Sequence, residues 1–159
     1  PLWCLRLGSV ERNGVGRSVE TRNWRITSER IGSVDWQDAM ESFALYAALV
    51  EDEGAREVLM NMSGAEILIS HSEAPELARM FARETPAALA IAIVRPSHNN
   101  DARFIEVFTE ELKRAGRTVG LFQTLEEADA FLLAERQNGA GDVVRSSSPL
   151  DWLKRLIAG

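Results

Sequence analysis

Glu57-Val-Leu-Met-Asn-Met-Ser-Gly-Ala-Glu-Ile-Leu-Ile-Ser-His-Ser-Glu73 is the stretch on which the fold turns. Val58 to Met62 is short and apolar on both faces, as a central strand covered on both sides should be. Ser63-Gly64 reads as a tight turn and Ala65 to Ile69 as a second short apolar run. Ser70-His71-Ser72 then reads as a polar turn that opens a helix. Loop corners of this kind carry contact residues in small α/β domains.

Working outward, Ser72 to Glu84 shows helical spacing at Leu77, Met80 and Phe81, with Pro75 tolerated in the first turn. Ala88 to Val94 is the second central strand, stopped by Pro96. Asp101 to Ala115 is a helix with Phe104, Val107, Phe108 and Leu112 inward, ended by Gly116. Thr118 to Phe122 is the third central strand. Thr124 and Glu127 form a capping box for a last helix, whose buried face is Leu125, Ala128, Phe131 and Leu132.

Toward the start, Asp35 caps a helix with apolar residues at Trp36, Met40, Phe43, Ala47 and Val50, and Gly54 closes it. Before it, Leu2 to Leu7 and Thr21 to Thr27 carry strand patterns. Asn13-Gly14 supplies a hairpin turn, within a polar loop from Glu11 to Ser18. The order is β-β-α-β-α-β-α-β-α. Strands joined through helices pair in parallel, so the expected fold class is α/β with a small mixed, mostly parallel sheet flanked by helices. The expected organisation is one domain over 1–136, with its hairpin over about 1–31. A Gly/Ser-rich linker follows over 137–148, then an amphipathic terminal helix over 149–159, with Leu150, Leu153 and Ile157 on one side.

The 159 residues suit one core, and 45% apolar residues are enough to fill it. A net charge of −6 disfavours nucleic acid as a partner. Residues 1–33 run against that balance, with six arginines and three glutamates. These alternate with apolar residues along strands and read as a solvated face. The single cysteine, Cys4, excludes an internal disulfide and reads as an inert buried thiol. Two distant histidines make a metal site unexpected, and no cofactor is implied. No signal peptide and no integral membrane segment is expected, so a cytoplasmic location is the plain reading.

No complete catalytic motif is present. The chain has no G-x-G-x-x-G, P-loop or G-x-S-x-G. Ser70 or Ser72 paired with His98 is the one conceivable hydrolase arrangement, because both lie at strand ends. Arg95, Ser97, His98 and Asn99 form a possible ligand loop. They follow a central strand and precede a helix, where ligands of open α/β sheets gather. The competing reading is a plain polar loop with Asn100 or Asp101 as cap.

Met60-Asn-Met-Ser-Gly-Ala-Glu-Ile-Leu-Ile-Ser-His-Ser72 resembles the segment of STAS domains and anti-sigma-factor antagonists that reads roughly L-D-L-S-G-V-x-x-I-D-S-S-G. Ala115-Gly-Arg-Thr-Val-Gly-Leu-Phe-Gln-Thr-Leu-Glu-Glu-Ala-Asp-Ala-Phe-Leu132 is similar to the SpoIIAA-like relatives. The resemblance covers about residues 20–135. It implies a small mixed sheet flanked by helices and a non-enzymatic regulatory or protein-interaction module. In antagonists the corner serine is phosphorylated and controls a partner kinase, which makes Ser70, His71 and Ser72 the contact or phosphorylation candidates. Asn61 stands where the family has Asp, His71 stands at a serine position, and Ser72 or Glu73 replaces the Gly. The SpoIIAA-like branch often lacks that motif, and its members resemble ligand- or membrane-associated modules. The expected partner is therefore a protein or a second copy of the chain, with a small ligand or lipid as the alternative.

Overall fold

Three helical crossovers dictate the layers. The computed structural model describes residues 6–12 and 15–146. Its strands are β1 (Arg6–Arg12), β2 (Val15–Arg22), β3 (Arg25–Val34), β4 (Glu57–Ile67), β5 (Ala90–Val94) and β6 (Val119–Phe122). They lie in one sheet in the order of the chain. The first two pairings are antiparallel, and β3 to β6 run parallel. Helices α1 (Trp36–Glu53), α2 (Ala74–Glu84) and α3 (Asn99–Arg114) connect the parallel strands. Each right-handed crossover steps in the same direction, so all three helices fall on one face. There Phe43, Phe81 and Phe108 meet Ile26, Val58, Ile91 and Ile93 of the sheet. The ring of Phe81 sits edge-on to Phe43, with centroids 4.9 Å apart. Helix α4 (Leu125–Ser146) follows the last strand, so no crossover rule binds it. It covers the other face, with Ala128 and Leu132 against Leu59, Ala92 and Val94.

The expected α/β architecture with a mostly parallel sheet and an antiparallel start is present, with one more strand than expected. Val15 to Ser18, expected within a loop, belong to β2. The expected strand Thr21–Thr27 is divided by a turn at Asn23 and Trp24, which take φ angles of 49° and 65°. A two-residue hairpin turn of type I′ needs both left-handed angles. Asn tolerates them, but a tryptophan there is uncommon, and the alternating pattern concealed the turn. The Trp24 carbonyl accepts the Arg56 N–H at 2.8 Å, and the Arg56 guanidinium lies 5.3 Å from the indole centroid. The Asn13-Gly14 turn and the terminal segment 149–159 lie outside the described residues. Helix α4 runs to Ser146, through most of the stretch expected as a linker.

β4 departs most from expectation. It is one continuous strand of 11 residues that passes straight through Ser63-Gly64. Glu29 pairs with Asn61 and Ile31 with Gly64, so β4 holds one residue more than β3 across this interval. That is a β-bulge. Gly64 takes no left-handed φ. The Asn61 side-chain oxygen secures the bulge by accepting the Ser63 N–H at 3.1 Å and the Ser63 hydroxyl at 2.7 Å.

Both ends of α1 are closed as expected. Asp35 accepts the Asp38 N–H at 2.8 Å, and Asp38 returns the bond from the Asp35 N–H at 3.0 Å. Gly54 caps the other end at φ 68°. At the start of β4, buried Glu57 accepts from Arg25 at 2.9 Å and also pairs with Arg136, tying β3, β4 and α4 together. Tyr46 of α1 is buried, which pushes its phenol above the ordinary range, so it remains a donor. It donates to the buried Ser28 hydroxyl on β3 at 2.7 Å.

Tyr46→Phe is expected to cost about 1–2 kcal/mol in urea unfolding, because Ser28 then loses its partner without gaining water. In the Tyr46→Phe/Ser28→Ala double variant the loss should be smaller than the sum of the two single losses. Simple additivity would show that the bond carries no stability.

Candidate functional site

The candidate site lies where β4 outruns its neighbour. β5 pairs with β4 only over Glu57 to Asn61. Beyond that point one edge of β4 has no strand beside it, and buried backbone groups need other partners. The loop after β5 and the first turn of α3 supply them. Ser97 donates to the Ser63 carbonyl from its hydroxyl at 2.8 Å and from its N–H at 3.3 Å. The buried Asp101 carboxylate accepts the Ile67 N–H at 3.0 Å. Asp101 therefore stitches α3 to β4 and does not occupy the cap position, which falls to His98.

Beyond Ile67 the chain turns through the corner. Ser70, Ser72 and Glu73 are exposed, and His71 is half-buried. Residues His71–Glu73 form one 3-10 turn leading into α2. The Ser70 N–H donates to the Glu73 carboxylate at 3.1 Å, and the hydroxyls of Ser70 and Ser72 lie 3.0 Å apart. The His71 ring sits edge-on to Phe104 of α3, with centroids 6.1 Å apart. Leu68, just before the corner, is 59% exposed.

The structure thus brings the expected corner and the expected loop to one edge of the sheet. It gives the loop residues different roles. Arg95 pairs with Glu106 on α3 at 2.8 Å, and Ser97 is spent on the Ser63 carbonyl. His98 and Asn99 are exposed at the start of α3. Among the described residues no hydrogen bond joins His98 to Ser70 or Ser72. The two serines bond each other, so the nucleophile–base contact a hydrolase needs is not formed.

Beneath the corner, between the sheet and α1, α2 and α3, lies an apolar cavity of about 50 Å³. Phe43, Met60, Met62, Ile67 and Phe104 line it, together with Arg30. Arg30 is only 6% exposed. Its Nη2 lies 3.4 Å from an Asp38 carboxylate oxygen and 3.5 Å from the Ser33 carbonyl. Its Nε has no hydrogen-bond partner among the described residues. Arg17 stands near the same end and donates to Ser42 at 3.2 Å. Burial alone would raise the Asp38 carboxyl, but hydrogen bonds from Asp35 and the charge of Arg30 together hold it below its ordinary value. Sequence reasoning passed over Arg30, because a strand arginine between Glu29 and the apolar Ile31 looks solvated. Ser28, two residues earlier on β3 and so on the same face, is the hint the sequence offers.

Two measurements check this geometry. Asp101→Ala should cost about 1–3 kcal/mol and expose the Ile67 amide to fast hydrogen exchange, with Asp101→Asn retaining part of the protection through its carbonyl oxygen. Unchanged Ile67 protection in the alanine variant would show that the bond is idle. Asp38, with its folded pKa depressed, contributes stability that is fully present above the unfolded carboxylate pKa of about 4 and lost as pH falls through the folded value. Asp38→Asn should therefore flatten the acid limb of the stability profile. An acid limb identical to that of the parent would contradict this.

No protein-family model matches the chain, and no curated protein matches it. Solved structures do. The anti-sigma factor antagonist SpoIIAA in its unphosphorylated form superposes with a TM-score of 0.50 at 17% identity, over 73% of this chain and 96% of that one. An anti-sigma factor antagonist from Mycobacterium paratuberculosis gives 0.54 at 17% identity, over 80% and 99%. This chain has the SpoIIAA-like fold of STAS domains.

Proposed function

We propose that the chain is a STAS-like regulatory module that acts by binding a protein partner, without a cofactor and without catalysis, in the cytoplasm. The corner from Leu68 to Glu73 is its contact surface. The observation that carries this reading is Leu68, 59% exposed beside the exposed hydroxyls of Ser70 and Ser72. An exposed leucine beside a fixed polar turn offers an apolar anchor with a polar rim, the arrangement that protein interfaces use. The turn is held by Glu73 and His71 rather than left to thermal motion, which lowers the entropic cost of docking. The neighbours by fold are anti-sigma factor antagonists, which favours an anti-sigma factor as the class of partner. Phosphate on Ser70 or Ser72 would add about two negative charges at the rim and change the interface directly.

A second reading, a small-ligand module, is favoured by the apolar cavity with Arg30 in its wall. The two readings use opposite sides of the same corner.

Tagged protein captured from a native lysate tests the first reading. Leu68→Lys and Ser72→Asp should each lose the captured protein while melting at the parent temperature. Leu133→Lys, a change of an exposed leucine on α4, should keep it. Capture undiminished by both corner variants removes the corner as the contact surface.

A further inference from the structure

Two arginines from the start of the chain, Arg22 and Arg25, face each other in register across the β2–β3 hairpin. Like charges directly opposite in an antiparallel pair repel unless something offsets them. Arg25 is offset. Its Nε donates to Glu57 at 2.9 Å, and one Nη meets Asp129. Glu57 also accepts from Arg136 of α4, so this one buried carboxylate serves two guanidiniums. Arg22 is exposed, with no hydrogen bond or ion pair among the described residues. These three arginines line one cleft of about 420 Å³ between the hairpin and α4, together with Glu20, Asn23 and Thr27. Glu20 is the single carboxylate in that lining, and Arg6 of β1 stands opposite it in register. With the groups behind the lining included, four arginines stand against Glu20, Glu57 and Asp129. This end of the sheet therefore keeps a positive surplus in a chain whose net charge is −6.

We propose that this cleft is a phosphate site, with the phosphate borne by a small sugar or polyol. A guanidinium fork matches phosphate oxygens with two parallel bonds. Arg22, Arg25 and Arg136 each keep N–H groups that no described residue meets. A dianion between Arg22 and Arg25 replaces their mutual repulsion by attraction to a common partner. The polar carrier follows from the rest of the lining. Asn23, Thr27 and Glu20 offer an amide, a hydroxyl and a carboxylate to the hydroxyls of a sugar. No aromatic ring lines the cleft to stack on a base, since Trp24 is engaged with the Arg56 guanidinium. The volume falls within the roughly 300–1,000 Å³ of small-molecule sites and leaves room beyond the anion. The proposal goes beyond the reading of the corner and shares no residue with it.

Isothermal titration of the full chain in a low-salt chloride buffer tests this. Glucose 6-phosphate is the probe, glucose its uncharged match and inorganic phosphate the bare anion. Glucose 6-phosphate should bind with a Kd on the order of 1 mM or below, and more weakly as salt is raised. Glucose should not bind measurably. Inorganic phosphate should bind more weakly than the ester, and equal affinity would overturn the sugar or polyol and leave a site for free phosphate. Arg22→Gln should weaken the ester by roughly tenfold or more, the effect of losing a charged donor pair. Without ligand this variant should melt at or slightly above the parent temperature, because it removes a like charge from the Arg25 side of the hairpin. Arg103→Gln, the same change at an exposed position on α3, should keep full affinity. The proposal is overturned by absent binding of both phosphates, by glucose binding as tightly as its phosphate, or by full affinity in Arg22→Gln. An equal loss in Arg103→Gln also overturns it, since it would mark a general attraction of anions to arginines. Leu68→Lys should leave the titration unchanged, so the corner and the cleft fail or stand separately.

Discussion

The extra residue in β4 sets the parity of everything after it. Before the bulge the even residues Val58, Met60 and Met62 face the helices α1 to α3. After it the odd residues Ile67 and Ile69 do so. A strand without the bulge would carry Ile67 and Ile69 to the opposite face and turn Leu68 inward, because side chains alternate with a strict period of two. The bulge therefore decides which residue is offered at the corner and which residues wall the cavity. Asn61 holds this arrangement through two acceptor bonds from Ser63. The oxygen of an asparagine suffices for that task, so the absence of an aspartate at this position does not disturb the local backbone.

The same strand explains why the loop after β5 is built as it is. A strand edge left bare exposes N–H and C=O groups that must be met or hidden. Ser97 and Asp101 meet them at Ser63 and Ile67. Polar residues after a central strand are thus not by themselves a sign of a ligand loop. Here two of them finish the sheet with side chains. The buried guanidinium of Arg117 does similar work at the opposite end, donating to the carbonyls of Ala82, Thr85 and Pro86 that close the turn from α2 to β5.

Much of the architecture was legible because it follows from periodicity and caps. The helix capped by Asp35 and Gly54, and the buried strands around Val58 and Ile91, needed no tertiary knowledge. The failures share a cause. Asn23-Trp24 turns without a glycine, and Ser63-Gly64 does not turn although it holds one. In both places hydrogen bonding settles the backbone: Arg56 to the Trp24 carbonyl, and Ser63 to Asn61. Local residue preference is a weak guide where such bonds are available. The corner was legible as a polar helix start. Arg30 was not, because its burial depends on α1 lying across β3, which only the folded chain displays.

Leu68 and the cavity meet at a single short segment. Ile67 and Ile69 point inward and Leu68 outward, so three consecutive residues carry the wall of the cavity on one side and the exposed anchor on the other. Their backbone is tied on both flanks, at Leu68 by the Val34 carbonyl at 2.9 Å and at Ile67 by Asp101. A segment held in this way moves as a unit or not at all, since shifting one side chain shifts its neighbours on the other face. His71 against Phe104 extends the same continuity, because Phe104 lines the cavity and His71 belongs to the turn. The chemistry at this edge is therefore not divided between a core and a surface. Both sides are set by one strand end, whose register depends on a single inserted residue.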